Sequence, residues 1–424
     1  ESCGVSLSEP PPLPANAHAT MLCQPAFTVT TSGPAPLTAA LSDALQAQWQ
    51  LGFPRTPDGV DQLTNGFYTY PAALQPLASR HLMRVVPDGP LLDPFCGSGT
   101  AVIEALRAGR DATGADASPL ALWVAGAHTW RPEPAQAERL RALAAAAADQ
   151  LAAGAPFDEL RLQLCATTAT TALGDERGKG GGEACAAAAA KEGPEEDPVV
   201  AALWFCFCVA QQRAAKQRKL AKDPPATLRA VTAEYAHCVL RLAKAAPSAQ
   251  AALILSDARK LTLPCPVSAI VTSPPYPGVY DYLSLAREER ALRGEAPVMG
   301  LPRPPGGAKG ERVQWPEAWR STNEIGARKA RAKLSRSGPL AFAAAWANEQ
   351  RSWLSRAHAS LEPRGRAALL IGDGDSLDNL EATSRAAEAV GFSVLGSASI
   401  SATLERTARA KGQRRTEHAV LLEA

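Results

Sequence analysis

Residues Leu91–Thr100 read LLDPFCGSGT, and this stretch decides the fold. Leu91–Phe95 is a short apolar run that predicts a strand ending in a Gly-rich turn. Gly97 and Gly99 let the backbone turn tightly and approach a ligand closely. Ala101–Ala108 continues as a helix, and Ala112–Asp116 (ATGAD) predicts a second short strand closed by an acid. Strand, turn, helix, strand is the opening unit of a doubly wound, Rossmann-like α/β sheet, which takes nucleotide-like ligands at such a turn.

Further along, Ala251–Ser256, Ser268–Thr272, Arg366–Asp373, Phe392–Thr403 and Glu417–Glu423 read as strands. Pro134–Ala153, Val199–Lys222, Ala226–Lys244 and Ala341–Leu361 read as helices, so the sheet is expected to be mostly parallel. Residues 1–60 read as a mostly disordered leader, Pro/Ser/Thr-rich to residue 36, with a short amphipathic helix at Leu37–Leu51. The sheet domain then divides into 61–133 with the Gly turn, 246–290 with a second loop, and 341–424 with the closing strands. Between them lie an Ala-rich helical insertion at 134–245 and a basic segment at 291–340. Gly174–Pro198 within the insertion is low-complexity and expected to be disordered.

The 424 residues allow two or three domains, or one large α/β domain with insertions. Forty-four basic against 42 acidic residues leave +2, which excludes a uniformly basic coat protein but permits a local basic patch. Nine irregularly spaced cysteines, with no CxxC pair, read as reduced thiols of an intracellular chain. That chain would be nuclear or organellar in a eukaryote and cytoplasmic in a bacterium. No apolar run of membrane-spanning length and no secretory signal are visible, and position 1 is Glu rather than Met, which reads as either a trimmed chain or an incomplete gene sequence.

The Gly turn lacks the third glycine of a dinucleotide fingerprint, since position 102 is Val102, and no Gly-Lys-Ser/Thr follows for a phosphate loop. The ligand expected there takes carboxylates instead. Asp93 ends the first strand and can face a cationic amino or sulfonium group. Asp116 ends the second and is placed for two ribose hydroxyls. Asp257 follows a later strand and can accept from an adenine amino group. Each alone is an ordinary helix N-cap residue. Three of them in register with a Gly turn suit S-adenosylmethionine, which has no phosphate.

Thr272–Tyr276 (TSPPY) follows an apolar strand. Pro274 and Pro275 fix the backbone and remove two N–H donors, leaving carbonyls to face a cleft. The Ser273 hydroxyl and a proline carbonyl can accept the two N–H bonds of an exocyclic amino group, while Tyr276 stacks on the ring. Such a site turns the nitrogen lone pair toward a methyl donor, and positioning with electrostatics supplies most of the acceleration.

DPFCGSGT and TSPPY together resemble the cofactor-binding and catalytic motifs of S-adenosylmethionine-dependent DNA amino-methyltransferases. The resemblance implies that Asp93, Phe95, Gly97, Ser98, Gly99 and Thr100 bind the cofactor. In that family, Ser at the first position of the catalytic motif goes with methylation of cytosine N4, and Asp or Asn with adenine. Gly114–Ala121 (GADASPLA) is similar to the family's segment after the second strand. Phe67–Ala73 (FYTYPAA) resembles its Tyr-Pro-Ala element, which implies that Tyr70 and Pro71 help hold the methionine end of the cofactor. The customary His and Arg are replaced here by Tyr68 and Ala73. The similarity covers about residues 65–130 and 250–290. Two rivals remain: a sibling enzyme acting on adenine or RNA, and a catalytically silent nucleic-acid-binding homologue.

Arg303–Arg336 carries nine basic and three acidic residues, a local +6, with Trp315 and Trp319 among them. Arg312, Arg328, Lys329 and Arg331 suit phosphates, and the tryptophans suit bases, so this is the expected DNA-recognition segment. Reading a base in a duplex requires flipping it out of the stack. The segment also fits an ordinary solvated loop. Cys96, Cys206 and Cys208 read as core, Asp373 as a turn residue, and the six scattered His give no metal spacing.

Overall fold

The computed structural model describes residues 27–51, 63–71, 73–154, 197–216, 223–279, 281, 324–334, 340–374, 377–404 and 413–424. Its centre is an eight-stranded sheet. The strands are β1 (Phe27–Ser32), β2 (Leu91–Asp93), β3 (Ala112–Asp116), β4 (Ala251–Leu255), β5 (Val267–Thr272), β6 (Leu361–Gly372), β7 (Ser393–Leu404) and β8 (Gln413–Glu423). Their order is β1-β7-β8-β6-β5-β2-β3-β4. Strands β4, β3, β2, β5 and β6 pair in parallel, while β8 runs antiparallel between β6 and β7.

The side chains show why both faces must be covered. Along β5, Ala269 and Val271 enter one core and Ile270 the other; along β6, Ala368 and Leu370 alternate with Leu369 and Ile371. Strands this apolar on both faces belong inside a helix–sheet–helix sandwich. One face is packed by α1 (Ala35–Leu51), α2 (Pro76–Met83) and α3 (Thr100–Arg107). Helix α4 (Pro119–Thr129) follows β3, while α9 (Ala341–Ala359) and α10 (Asn379–Ala389) cover the other face. The doubly wound α/β expectation therefore holds.

The Ala-rich insertion forms α5 (Pro134–Ala152), α6 (Pro198–Lys216) and α7 (Pro224–Ala245), and a short α8 (Arg328–Leu334) precedes α9. The insertion shares one apolar core with Phe67, Tyr68 and Tyr70, where Phe205 and Tyr235 lie 6.1 and 5.1 Å from the Phe67 ring. The low-complexity stretch lies outside the described residues, apart from Asp197 and Pro198.

Two expectations need correction. The leader is not structureless as far as residue 36: FTVTTS at 27–32 forms β1, an edge strand antiparallel to β7. Its β-branched Val and Thr suit a half-solvated edge, and only its neighbour across the sheet gives it a partner. The thiols are not all reduced. Cys96, Cys206, Cys208 and Cys238 are thiols, but Cys265, in an exposed bend, is disulfide-bonded. Among the described residues, no helix is long and apolar enough to cross a membrane.

Candidate active site

The strand order reverses between β2 and β5, because β2 continues to β3 on one side and meets β5 on the other. A crevice beyond the carboxyl ends of the strands opens at such a reversal. Both sequence motifs lie there. The Gly loop leaves β2 and enters α3, and the Ser-Pro-Pro-Tyr loop leaves β5.

The loop geometry explains its glycines. Gly97 has φ 50° and Gly99, at the N-cap of α3, has φ 85°, both left-handed. A Cβ on Gly97 would lie 3.3 Å from Tyr70 Cε1, and one on Gly99 would lie 3.1 Å from Ala125 Cβ. Tyr70 therefore sits beside the turn, with the half-buried Pro71 following it. Ser98 and Thr100 are buried within the loop. Phe95 packs edge-on against Trp353, their ring centres 5.2 Å apart.

Asp116 organises the loop from the next strand. Its Oδ2 accepts from Gly97 N–H at 3.0 Å and its Oδ1 from Ser118 N–H at 2.8 Å. A carboxylate has about four lone-pair sites, so acceptor capacity remains for a diol. Burial pushes its carboxyl up to about 6, against the main-chain hydrogen bonds that favour its charge. Asp93 is 4% exposed and accepts from Phe95 N–H at 3.1 Å and from Thr272 Oγ1 at 2.5 Å. Burial raises it to about 7; the Thr272 and Phe95 bonds oppose this, and the charge of Asp116 adds to it. These two carboxyls and the left-handed turn fit a phosphate-free cofactor with a cationic end and a ribose.

Asp257 lies two residues beyond β4, and Ser256 N–H donates to Asp116 O at 3.0 Å, which keeps the two strand ends together. Its carboxylate already holds Arg259, with Nη2 at 2.6 Å from Oδ2 and Nε at 3.0 Å from Oδ1. Burial pushes Asp257 up, but the Arg259 hydrogen bonds and charge outweigh it and leave the carboxyl below its usual range. An adenine amino group would have to share this carboxylate with Arg259.

On the other side of the crevice, Pro274 is buried and Ser273, Pro275 and Tyr276 are half-buried. The Tyr276 ring packs so closely on Gly372, at the end of β6, that no Cβ fits there. Gly278 N–H donates to Gly326 O at 2.8 Å, joining this loop to the turn before α8. Asp373 accepts from Asn379 N–H at 2.9 Å and pairs with His418 Nε2 at 3.0 Å, in keeping with its expected turn role.

Of the residues expected to meet nucleic acid, Arg328 has a described side chain. It is 69% exposed and lies 3.7 Å from the buried Asp281 at the end of the Pro-Pro loop. Lys329 and Arg331 lie on α8, with side chains outside the described residues, as are Arg312, Trp315 and Trp319 altogether. Cys96 is buried, and burial pushes its thiol well up, which suits core packing rather than nucleophilic attack.

His128, at the end of α4, escaped the sequence reading. Its Nδ1–H donates to Ser98 O at 2.9 Å and its Nε2 accepts from Tyr68 N–H at 3.2 Å, which fixes the neutral tautomer. Burial lowers its pKa to about 4. It ties the Gly loop to the Phe67–Pro71 segment, and no spacing in the sequence signals this.

Residues 68–170 match the family model of UPF0020, an RMKL-like methyltransferase domain. The chain is 34% identical over 94 residues, 21% of its length, to the Type II methyltransferase M.MvaI of Kocuria varians. That match spans 20% of the Kocuria varians protein. Among solved structures, the chain is similar to TrmN from Thermus thermophilus, with 11% identity and a TM-score of 0.30. The similarity covers 82% of this chain and 48% of that one. It is also similar to the rRNA methyltransferase aviRa from Streptomyces viridochromogenes, with 11% identity and a TM-score of 0.32, over 83% of this chain and 85% of that one. Both sequence matches are to methyltransferases.

Proposed function

We propose that the chain is an S-adenosylmethionine-dependent methyltransferase that modifies the exocyclic amino nitrogen, N4, of cytosine in DNA. The observation that carries this reading is the hydrogen bond between Thr272 and Asp93, which supports a single crevice between the Gly loop and the Ser-Pro-Pro-Tyr loop. Bound there, S-adenosylmethionine would supply an electrophilic sulfonium methyl. Tyr70, Pro71 and the loop from Asp93 to Thr100 hold the methionine end, and Asp116 takes the ribose. Asp257 takes the adenine amino group in competition with Arg259. The Ser273 hydroxyl and a Pro-Pro carbonyl accept from the two amino hydrogens of a flipped cytosine while Tyr276 supports its ring. This orients the nitrogen lone pair for direct transfer with no covalent intermediate on the protein: the N–C bond would form as the S–C bond breaks, S-adenosylhomocysteine would leave, and the amino nitrogen would give up one proton to solvent. Arg328, with the rest of the basic segment, meets the phosphates.

The test is incubation with labelled S-adenosylmethionine and separate pools of DNA and RNA, followed by mass spectrometry of the nucleosides. The expected product is N4-methylcytosine in DNA. Label on adenine alone overturns the cytosine assignment, and label in RNA alone overturns the DNA assignment. Cofactor binding without any transfer favours a catalytically silent homologue.

A further inference from the structure

The helical insertion is hydrogen-bonded to the segment that lies beside the Gly loop. Gln212, on α6, is 3% exposed. Its Oε1 accepts from Thr69 N–H at 2.7 Å and its Nε2 donates to Thr69 O at 2.9 Å. One amide thus pairs both main-chain groups of Thr69, as a neighbouring strand would. On either side of Thr69, Tyr68 N–H is bound by His128 and the Tyr70 ring lies against Gly97. The next residue of α6, Arg213, stands 4.7 Å over the Phe67 ring and is bound by both oxygens of Glu234 on α7. Phe205, two turns earlier on α6, packs on Phe67, Tyr68 and His128. Phe67, Tyr68 and Thr69 are therefore held from one helix of the insertion, immediately before the residue that walls the Gly loop.

We propose that Gln212 is a positioning residue for the cofactor. It fixes the main chain of Thr69 and, through it, the height of the Tyr70 ring over Gly97. That height sets the width of the crevice where the amino-acid end of S-adenosylmethionine lies. The inference rests on the cofactor reading above and assigns the insertion a part in that site. Without the amide, two main-chain bonds are lost and Tyr70 moves relative to the turn. The adenosine half, held from β3 and β4, does not depend on Thr69.

The experiment is calorimetric titration of the full chain with S-adenosylhomocysteine and, separately, with methylthioadenosine, which lacks the amino-acid end. Gln212→Leu keeps the bulk and removes both hydrogen bonds. Its Kd for S-adenosylhomocysteine is expected to rise about tenfold, equivalent to about 1.4 kcal/mol. Its Kd for methylthioadenosine is expected to change less than about twofold, by under about 0.5 kcal/mol. Equal weakening of both ligands, or no weakening of either, overturns the proposal. A wild-type chain that binds neither overturns the cofactor reading itself, and the role of Gln212 with it. Wild-type amide exchange at Thr69 and Tyr70 provides a measurement independent of any variant's folding. It should slow with S-adenosylhomocysteine and not with methylthioadenosine; equal slowing by both also overturns the proposal.

Discussion

Thr272 Oγ1 donates to Asp93 Oδ1 at 2.5 Å, joining the carboxyl ends of β5 and β2 where the strand order reverses. Thr272 is fully buried and Asp93 nearly so. The residue after Thr272 begins the Ser-Pro-Pro-Tyr loop, and the residues after Asp93 form the Gly turn. A displacement of either loop therefore acts on the other through one short, desolvated bond.

Thr272→Val tests this coupling. It keeps the shape and removes the donor, leaving Asp93 with the Phe95 N–H alone. A buried acceptor deprived of one partner costs about 1–3 kcal/mol. The expected loss of stability in urea denaturation is of that size at pH 8, where Asp93 is charged, and smaller at pH 5. An equal loss at both values would separate the effect from the Asp93 charge.

Asp93 also gives the apoprotein a pH dependence of definite sign. Its carboxyl titrates near 7 in the fold against 3.8 in the unfolded chain, with burial as the leading cause. Between those values the folded state holds the extra proton, so this group's contribution to stability is full below about pH 4 and is lost as pH rises through 7. The upper limit of that loss is about 4 kcal/mol at roughly 1.4 kcal/mol per pH unit. Asp93→Asn should raise the thermal midpoint at pH 8, give little gain at pH 5, and weaken S-adenosylhomocysteine binding. A lower midpoint at pH 8 would show that the charge is compensated.

Much of this site was legible because its elements are local. Leu91–Asp93, Gly97, Gly99 and Ala112–Asp116 lie within 26 residues, and each signals itself by apolar runs, glycines or a strand-end acid. The bonds that assemble the site are not local. Thr272 is 179 residues from Asp93, and Gln212 is 143 from Thr69. Neither polar residue differs in the sequence from one facing solvent. β1 carries no signal of its own, because FTVTTS is short and acquires a partner only from β7, near the other end of the chain. Asp257 reads in the sequence as an acceptor for an adenine amino group, because Arg259, two residues on, becomes its partner only through the turn beyond β4.

Ser273→Ala and Asp116→Ala should separate transfer from cofactor binding. Ser273 stands on the β5 side, with no hydrogen bond to the Gly loop among those described, so its loss should lower kcat about 10- to 100-fold with S-adenosylhomocysteine Kd nearly unchanged. Asp116 holds Gly97 and Ser118 by their N–H groups, and its loss should raise that Kd at least about tenfold, or about 1.4 kcal/mol. Steady-state kinetics with calorimetry distinguishes them. Two variants that behave as wild type would remove the crevice from consideration as the active site.

His128 should set the acid limit of the fold. Buried between Ser98 O and Tyr68 N–H, it titrates near 4 against 6.5 when unfolded, because burial disfavours its charged form. As pH falls from 6.5 to 4 the unfolded chain takes up the proton first, so stability is lost on acidification, by at most about 3 kcal/mol. This runs opposite to the contribution of Asp93 over the same range, and the two partly cancel in the wild type. His128→Gln retains a donor and an acceptor but does not titrate. Its stability, measured by urea denaturation between pH 4 and 6.5, should therefore rise on acidification where the wild type is flatter. A parallel pair of curves would mean that His128 is already protonated in the fold, and that the Tyr68 N–H has another acceptor.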